Sequence, residues 1–160
     1  MDFSKYWVYG DCTLHSGDKS DRLWDAKLLR KPENDKDLEE IVNFLRKYID
    51  VDLKVIGIRT MGAEIGMMVG NCIPFDPRRN MLEDNLYDDE YVIFDDVMTR
   101  GSSVLQVIDV VRRLPKYVIV LVIRSDITGG ATEIEGIPIY EVRSLMRKGA
   151  GDQDMGDHAL

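Results

Sequence analysis

Seven consecutive apolar or aromatic residues, Tyr117-Val118-Ile119-Val120-Leu121-Val122-Ile123, leave this chain few folds to choose from. A strand with one wet face alternates polar and apolar residues, whereas an unbroken β-branched run belongs to a strand covered on both faces. Such cover needs helices above and below, and the rest of the sequence supplies them. Leu38, Ile41, Val42, Leu45 and Ile49 recur at helical spacing, with Asn34 or Asp35 as N-cap. Val104, Leu105, Ile108, Val111 and Leu114 mark a second amphipathic helix. Lys54–Ile58, Tyr91–Phe94 and Ile137–Val142 read as further strands. Gly62, Gly66 and Gly70 fall on one face of a helix, which lets that helix lie close against a sheet. Alternating strands and helices with apolar central strands predict an open, mostly parallel α/β sheet with flanking helices. Residues 1–34, rich in Gly, Ser, Asp and aromatics, precede this core, which spans 35–148. Residues 149–160 carry little that can pack and are expected to form a flexible tail.

A chain of 160 residues suits one domain. Its formal net charge of -8 disfavours nucleic acid as a partner, since an acidic surface repels phosphate backbones. Cys12 and Cys72 are far apart, match no metal-binding spacing and are expected as reduced thiols. No apolar run reaches the length of a membrane span, and no basic-then-apolar stretch opens the chain, so a cytoplasmic protein is expected.

In open α/β sheets, ligands bind beyond the carboxyl ends of the strands. After Phe94 come Asp95 and Asp96, then Thr99-Arg100-Gly101-Ser102-Ser103 at the opening of a helix. Exposed amides at a helix start, with small hydroxyl side chains, make a phosphate cradle. Each charge-assisted hydrogen bond there contributes about 1.5–3 kcal/mol. The paired carboxylates only accept hydrogen bonds, which suits the hydroxyls of a ribose beside that phosphate. A polar strand end with Ser/Thr capping would explain the serines but not the two carboxylates.

The segment Val92–Ser103 resembles the phosphoribosyl pyrophosphate motif of type I phosphoribosyltransferases. The resemblance implies that Asp95 and Asp96 hold the ribose 2′- and 3′-hydroxyls and that Thr99 to Ser103 wrap the 5′-phosphate. Arg100 stands where the family usually has a small residue, either as an added charge near the phosphate or pointing to solvent. Arg59-Thr60-Met61-Gly62 occupies the place of the pyrophosphate loop, although many orotate-specific members carry Lys where Met61 stands. Magnesium is the implied cofactor, held mainly by the substrate, with Asp95 as a candidate contact.

Leu14, Ser16, Gly17 and Ser20 resemble the N-terminal hood of orotate phosphoribosyltransferases. His15 falls where the bacterial form often has a phosphate-contacting Lys, and Trp24 where aromatics pack near the base. Arg124 matches an Arg that reads the pyrimidine and its carboxylate; a surface ion pair with Asp126 is the plainer alternative. The resemblance therefore implies transfer of a phosphoribosyl group to a nucleobase, orotate first, by a homodimer. A binding protein with little turnover, or an enzyme for another base, stays open. Between Phe75 and Tyr91 the family has a long loop with a catalytic Lys and a His, whereas this chain offers only Arg78 and Arg79 as cations, in a shorter, more acidic loop.

Overall fold

The computed structural model describes residues 1–152. The chain runs β1 (Trp7–Thr13), β2 (Lys19–Trp24), α1 (Asp35–Tyr48), β3 (Lys54–Ile58), α2 (Met61–Val69), β4 (Cys72–Asp76) and β5 (Met81–Leu82). It continues through β6 (Tyr91–Met98), α3 (Ser102–Val111), β7 (Val118–Ile123), α4 (Ser125–Thr128), β8 (Glu133–Ile134), β9 (Ile137–Glu141) and α5 (Val142–Asp152). Seven strands form one sheet in the order β5-β4-β3-β6-β7-β9-β8. The five inner strands are parallel, and β5 and β8 close the two edges antiparallel. β1 and β2 pair as a separate hairpin.

The apolar run of β7 sits near the middle of this sheet, and all six of its residues are buried. Ile119 and Leu121 enter a core shared with α1, α2, α5 and the N-terminal segment. Val118 and Val120 enter the opposite core, which α3 covers through Val104 and Val107. Cover on both faces is why this strand has no polar alternation. α1 turns Ile41, Val42 and Leu45 to its core and carries Asp35 and Asp37 in the first turn, where the helix dipole favours acids. Asn34 precedes α1 but makes no side-chain cap; its amide donates instead to the Leu28 carbonyl.

Several boundaries differ from the sequence reading: Gly70 ends α2 as its C-cap with a φ of 109° instead of sharing the face of Gly62 and Gly66, and Val142 opens α5 instead of closing β9. The strand expected to stop at Phe94 continues to Met98, because β7 goes on pairing with it after β3 has ended. The helix expected to reach Leu114 ends at Val111, where Arg112 turns left-handed, and Leu114 is exposed. The stretch from Phe75 to Tyr91 begins not as a loop but as the β4–β5 hairpin. The expected tail from 149 begins with α5, which runs to Asp152; residues 153–160 lie outside the described residues. No helix among the described residues is long and apolar enough to cross a membrane.

Candidate active site

The carboxyl ends of β3, β6 and β7 lie side by side, and Arg59, the Asp95–Asp96 pair and Arg124 stand at them in turn. Asp95 and Asp96 occupy the stretch of β6 that outruns β3. Asp96 N–H donates to Asp95 Oδ1 at 2.8 Å, and Val97 N–H to Asp96 Oδ1 at 2.9 Å. These bonds fix both carboxylates by their own backbone. Burial, then the neighbouring charge of Asp96, pushes Asp95 well above the usual carboxylate range. Gly62, in the first turn of α2, makes the enclosure possible. A Cβ there would lie 3.0 Å from the Phe94 carbonyl oxygen and 3.1 Å from Asp95 Cα, so any side chain would press on the β6 backbone and glycine suits this close approach.

Beyond Met98 the chain turns through Thr99 and Arg100 to Gly101, whose φ of 79° is left-handed. α3 starts at Ser102 with no side-chain cap, leaving its first amides available to an anion. This helix start follows the strand that carries the two carboxylates. Arg100 does not simply point to solvent. Its guanidinium forks onto Asp18 in the β1–β2 turn, Nε to Oδ2 at 2.9 Å and Nη2 to Oδ1 at 3.0 Å.

The β3 end is built differently. Arg59 follows Ile58, its peptide to Thr60 is cis, and Met61 begins α2. The Arg59 guanidinium is held by Glu83 beyond β5, through Nε and through Nη2 at 2.7 Å from Oε1. That pairing draws Glu83 below the usual carboxylate range. Arg78 and Arg79 occupy the exposed hairpin turn. Arg79 is 76% exposed and 3.7 Å from Asp76.

At the β7 end, Arg124 is 1% exposed, which corrects the expectation of a surface pair. Its Nε and Nη2 clasp Asp126 at 3.1 and 2.8 Å; Nη2 also reaches Ser20 Oγ at 2.9 Å and Nη1 the Arg22 carbonyl at 3.2 Å. The Trp7 ring lies 5.2 Å from this guanidinium and 4.4 Å from that of Arg22. Asp126 does form the ion pair, which draws it below the usual range, but the hairpin covers its partner.

Two expected residues lie elsewhere. Trp24 is a core residue, stacked near Phe3 and Tyr6, and its Nε1 donates to the Phe3 carbonyl at 2.8 Å. His15 is exposed at the tip of the β1–β2 turn. The sequence reading missed Asp18 and Glu83. Both stood in the sequence, but no local pattern ties them to arginines 82 and 24 positions away.

The sequence matches no protein-family model and no curated protein. Solved structures do match the fold. Orotate phosphoribosyltransferase from Aeropyrum pernix superposes with a TM-score of 0.62 at 22% identity, over 92% of this chain and 96% of that one. Adenine phosphoribosyltransferase from Trypanosoma brucei, in complex with AMP, pyrophosphate and ribose-5-phosphate, gives 0.67 at 13% identity, over 87% and 76%. Leishmania donovani UMP synthase gives 0.65 at 20% identity over 94% of this chain, which spans 36% of that longer protein. The chain has the type I phosphoribosyltransferase fold.

Proposed function

We propose that this protein is a phosphoribosyltransferase that moves the phosphoribosyl group of phosphoribosyl pyrophosphate to a nucleobase. The observation that carries the reading is the pairing of two backbone-fixed carboxylates with an uncapped, glycine-preceded helix start at the carboxyl end of the central strand β6. Asp95 and Asp96 accept from the ribose hydroxyls, and Thr99, Gly101, Ser102 and Ser103 wrap the 5′-phosphate. Arg59, Thr60, Met61 and Gly62 face the pyrophosphate. A new bond joins the base nitrogen to the anomeric carbon as pyrophosphate leaves with the electrons of the old one, and the proton of that nitrogen passes to water or to the departing pyrophosphate. The protein contributes by positioning the reactants and stabilising the leaving group, without a nucleophile of its own. Arg78 and Arg79, exposed on the hairpin, are the cations proposed to meet the leaving group, across a homodimer interface.

The oxygen donors of Asp95 and Asp96 fit magnesium. No group of three or more potential ligands gathers among the described residues, so such an ion would be held largely by the substrate. When bound, it neutralises the pyrophosphate charge.

Orotate is the finer proposal. Arg124 at the end of β7, and the likeness to orotate phosphoribosyltransferases, support it. A second reading, a phosphoribosyl pyrophosphate-binding protein with little turnover, draws on Arg59 and Arg124 already being paired within the chain. Labelled phosphoribosyl pyrophosphate, magnesium and a panel of bases separate the two. The enzyme reading expects labelled nucleotide with at least one base, orotate ahead of uracil, and loss of that preference in Arg124→Ala. Binding with no nucleotide from any base leaves the second reading. A purine as sole acceptor discards orotate alone.

A further inference from the structure

Each of the three arginines around the site holds a carboxylate of its own chain: Arg59 with Glu83, Arg124 with Asp126, and Arg100 with Asp18. They are not equivalent. Arg124 is enclosed with partners on all three nitrogens, so a ligand would have to dismantle a buried network to claim it. Arg100 is 57% exposed and belongs to the loop that leads into α3. An exposed ion pair is individually weak and easily exchanged.

Its partner is firmly placed. The turn holding Asp18 is closed by Gly17 N–H to the Leu14 carbonyl and Leu14 N–H to the Asp18 carbonyl, each 2.8 Å. Ser16 Oγ donates to Asp18 Oδ2 at 2.6 Å. The carboxylate thus offers Arg100 two oxygens in a fixed plane. A phosphate offers a guanidinium fork the same two-oxygen face, with greater charge. Here it would gain in addition the uncapped amides of α3, which Asp18 does not use.

We propose that Asp18 is a built-in stand-in for the phosphate. It occupies Arg100 until a phosphomonoester dianion settles on residues 99–103. Arg100 then exchanges carboxylate for phosphate, and the β1–β2 turn is released from the loop. Asp18 is therefore a specificity-determining residue, because weaker monoanionic ligands fail to displace it. This rests on the phosphate-cradle reading of the proposed function.

Calorimetric titration with ribose 5-phosphate tests the exchange in the parent chain, Asp18→Asn, Arg100→Ala and the double variant. Asn at 18 keeps an acceptor for Ser16, so the turn retains its internal bonds. The expected result is binding tightened about threefold or more by Asp18→Asn, weakened by Arg100→Ala, and equal in Arg100→Ala and the double variant. Amide exchange at residues 14–18 should also quicken when ribose 5-phosphate is added to the parent, and not in Arg100→Ala. Unchanged or weaker binding by Asp18→Asn overturns the proposal. So does a gain that persists without Arg100, since Asp18 would then act only through the general field. No binding by the parent or by Asp18→Asn overturns the phosphate-cradle reading itself, and this inference with it.

Discussion

The two arms of the site, the β6–α3 arm and the β3–hairpin arm, carry opposite electrostatic designs. In the first, Asp95 and Asp96 keep acceptor capacity beyond the backbone bonds that hold them, and the α3 amides have no cap. In the second, Arg59 is matched to Glu83, and Asp76 stands near Arg79. The first arm leaves its carboxylates and helix amides open to a ligand, with only Arg100 held by Asp18, whereas Arg59 and Arg79 of the second are already matched by acids of their own chain. The difference teaches that an arginine at a strand end is not by itself an anion site. Its resident partner decides what a ligand must displace.

The largest effect expected from breaking this comparison comes from Gly62, where the arms touch. Gly62→Val places a side chain against the backbone of Phe94 and Asp95, which would have to shift to admit it. Overpacking of this kind costs about 1–3 kcal/mol, or roughly 2–4 °C of melting temperature per kcal/mol in a chain of this size. Thermal unfolding checks it. A parent-like melting temperature would show that α2 is not held against Asp95.

Next comes the cost of enclosing the Asp95 carboxyl, which is half-buried. Its folded-state pKa is raised above the unfolded value, so its contribution to stability is full below the unfolded carboxylate range and is lost as pH rises through the raised value. Asp95→Asn keeps the acceptor for Asp96 N–H and removes that loss. Its melting temperature is expected to exceed the parent's at about pH 8, with the gap closing towards about pH 4. A gap independent of pH contradicts the assignment.

The neutralised arm should respond in the other direction. Glu83→Gln releases Arg59, and pyrophosphate should bind about threefold more tightly, because an exposed pair contributes ~0.2–1 kcal/mol and ~1.4 kcal/mol is tenfold. Unchanged affinity would remove Arg59 from the leaving-group site. The smallest effect is on stability. Arg79→Ala, on the exposed hairpin turn, should leave unfolding free energy within about 0.5 kcal/mol of the parent. A larger loss would mean that the turn is fastened by Arg79 rather than by the β4–β5 pairing.

The fold was legible wherever local pattern and burial agree. The run at 117–123, the helical spacing from Leu38 and the glycines at 62 and 66 each encode a packing surface in one window, and the strand at 54–58 appears with its expected ends. β4 was hidden because Pro74 interrupts a five-residue strand, and β1 because its apolar Val8 and Tyr9 face outward and its register shifts between Tyr9 and Cys12. Of the site, the Asp95–Ser103 segment could be read because its groups are consecutive. The partners of Arg59 and Arg100 could not, since an ion pair leaves no period in the sequence. The burial of Arg124 follows from the hairpin folding over it, and Trp24 lies in the core because its neighbours Phe3 and Tyr6 do.

The central claim is that Asp95 and Asp96 bind a ribose beside a phosphate. Calorimetric titration of magnesium and phosphoribosyl pyrophosphate into the parent and into the Asp95→Asn/Asp96→Asn double variant tests it most directly. Asparagine keeps the shape of each side chain and removes its charge, so the hydroxyls lose their strongest acceptors. Affinity is expected to fall tenfold or more, equivalent to at least ~1.4 kcal/mol. Equal affinity in a folded double variant would contradict the account.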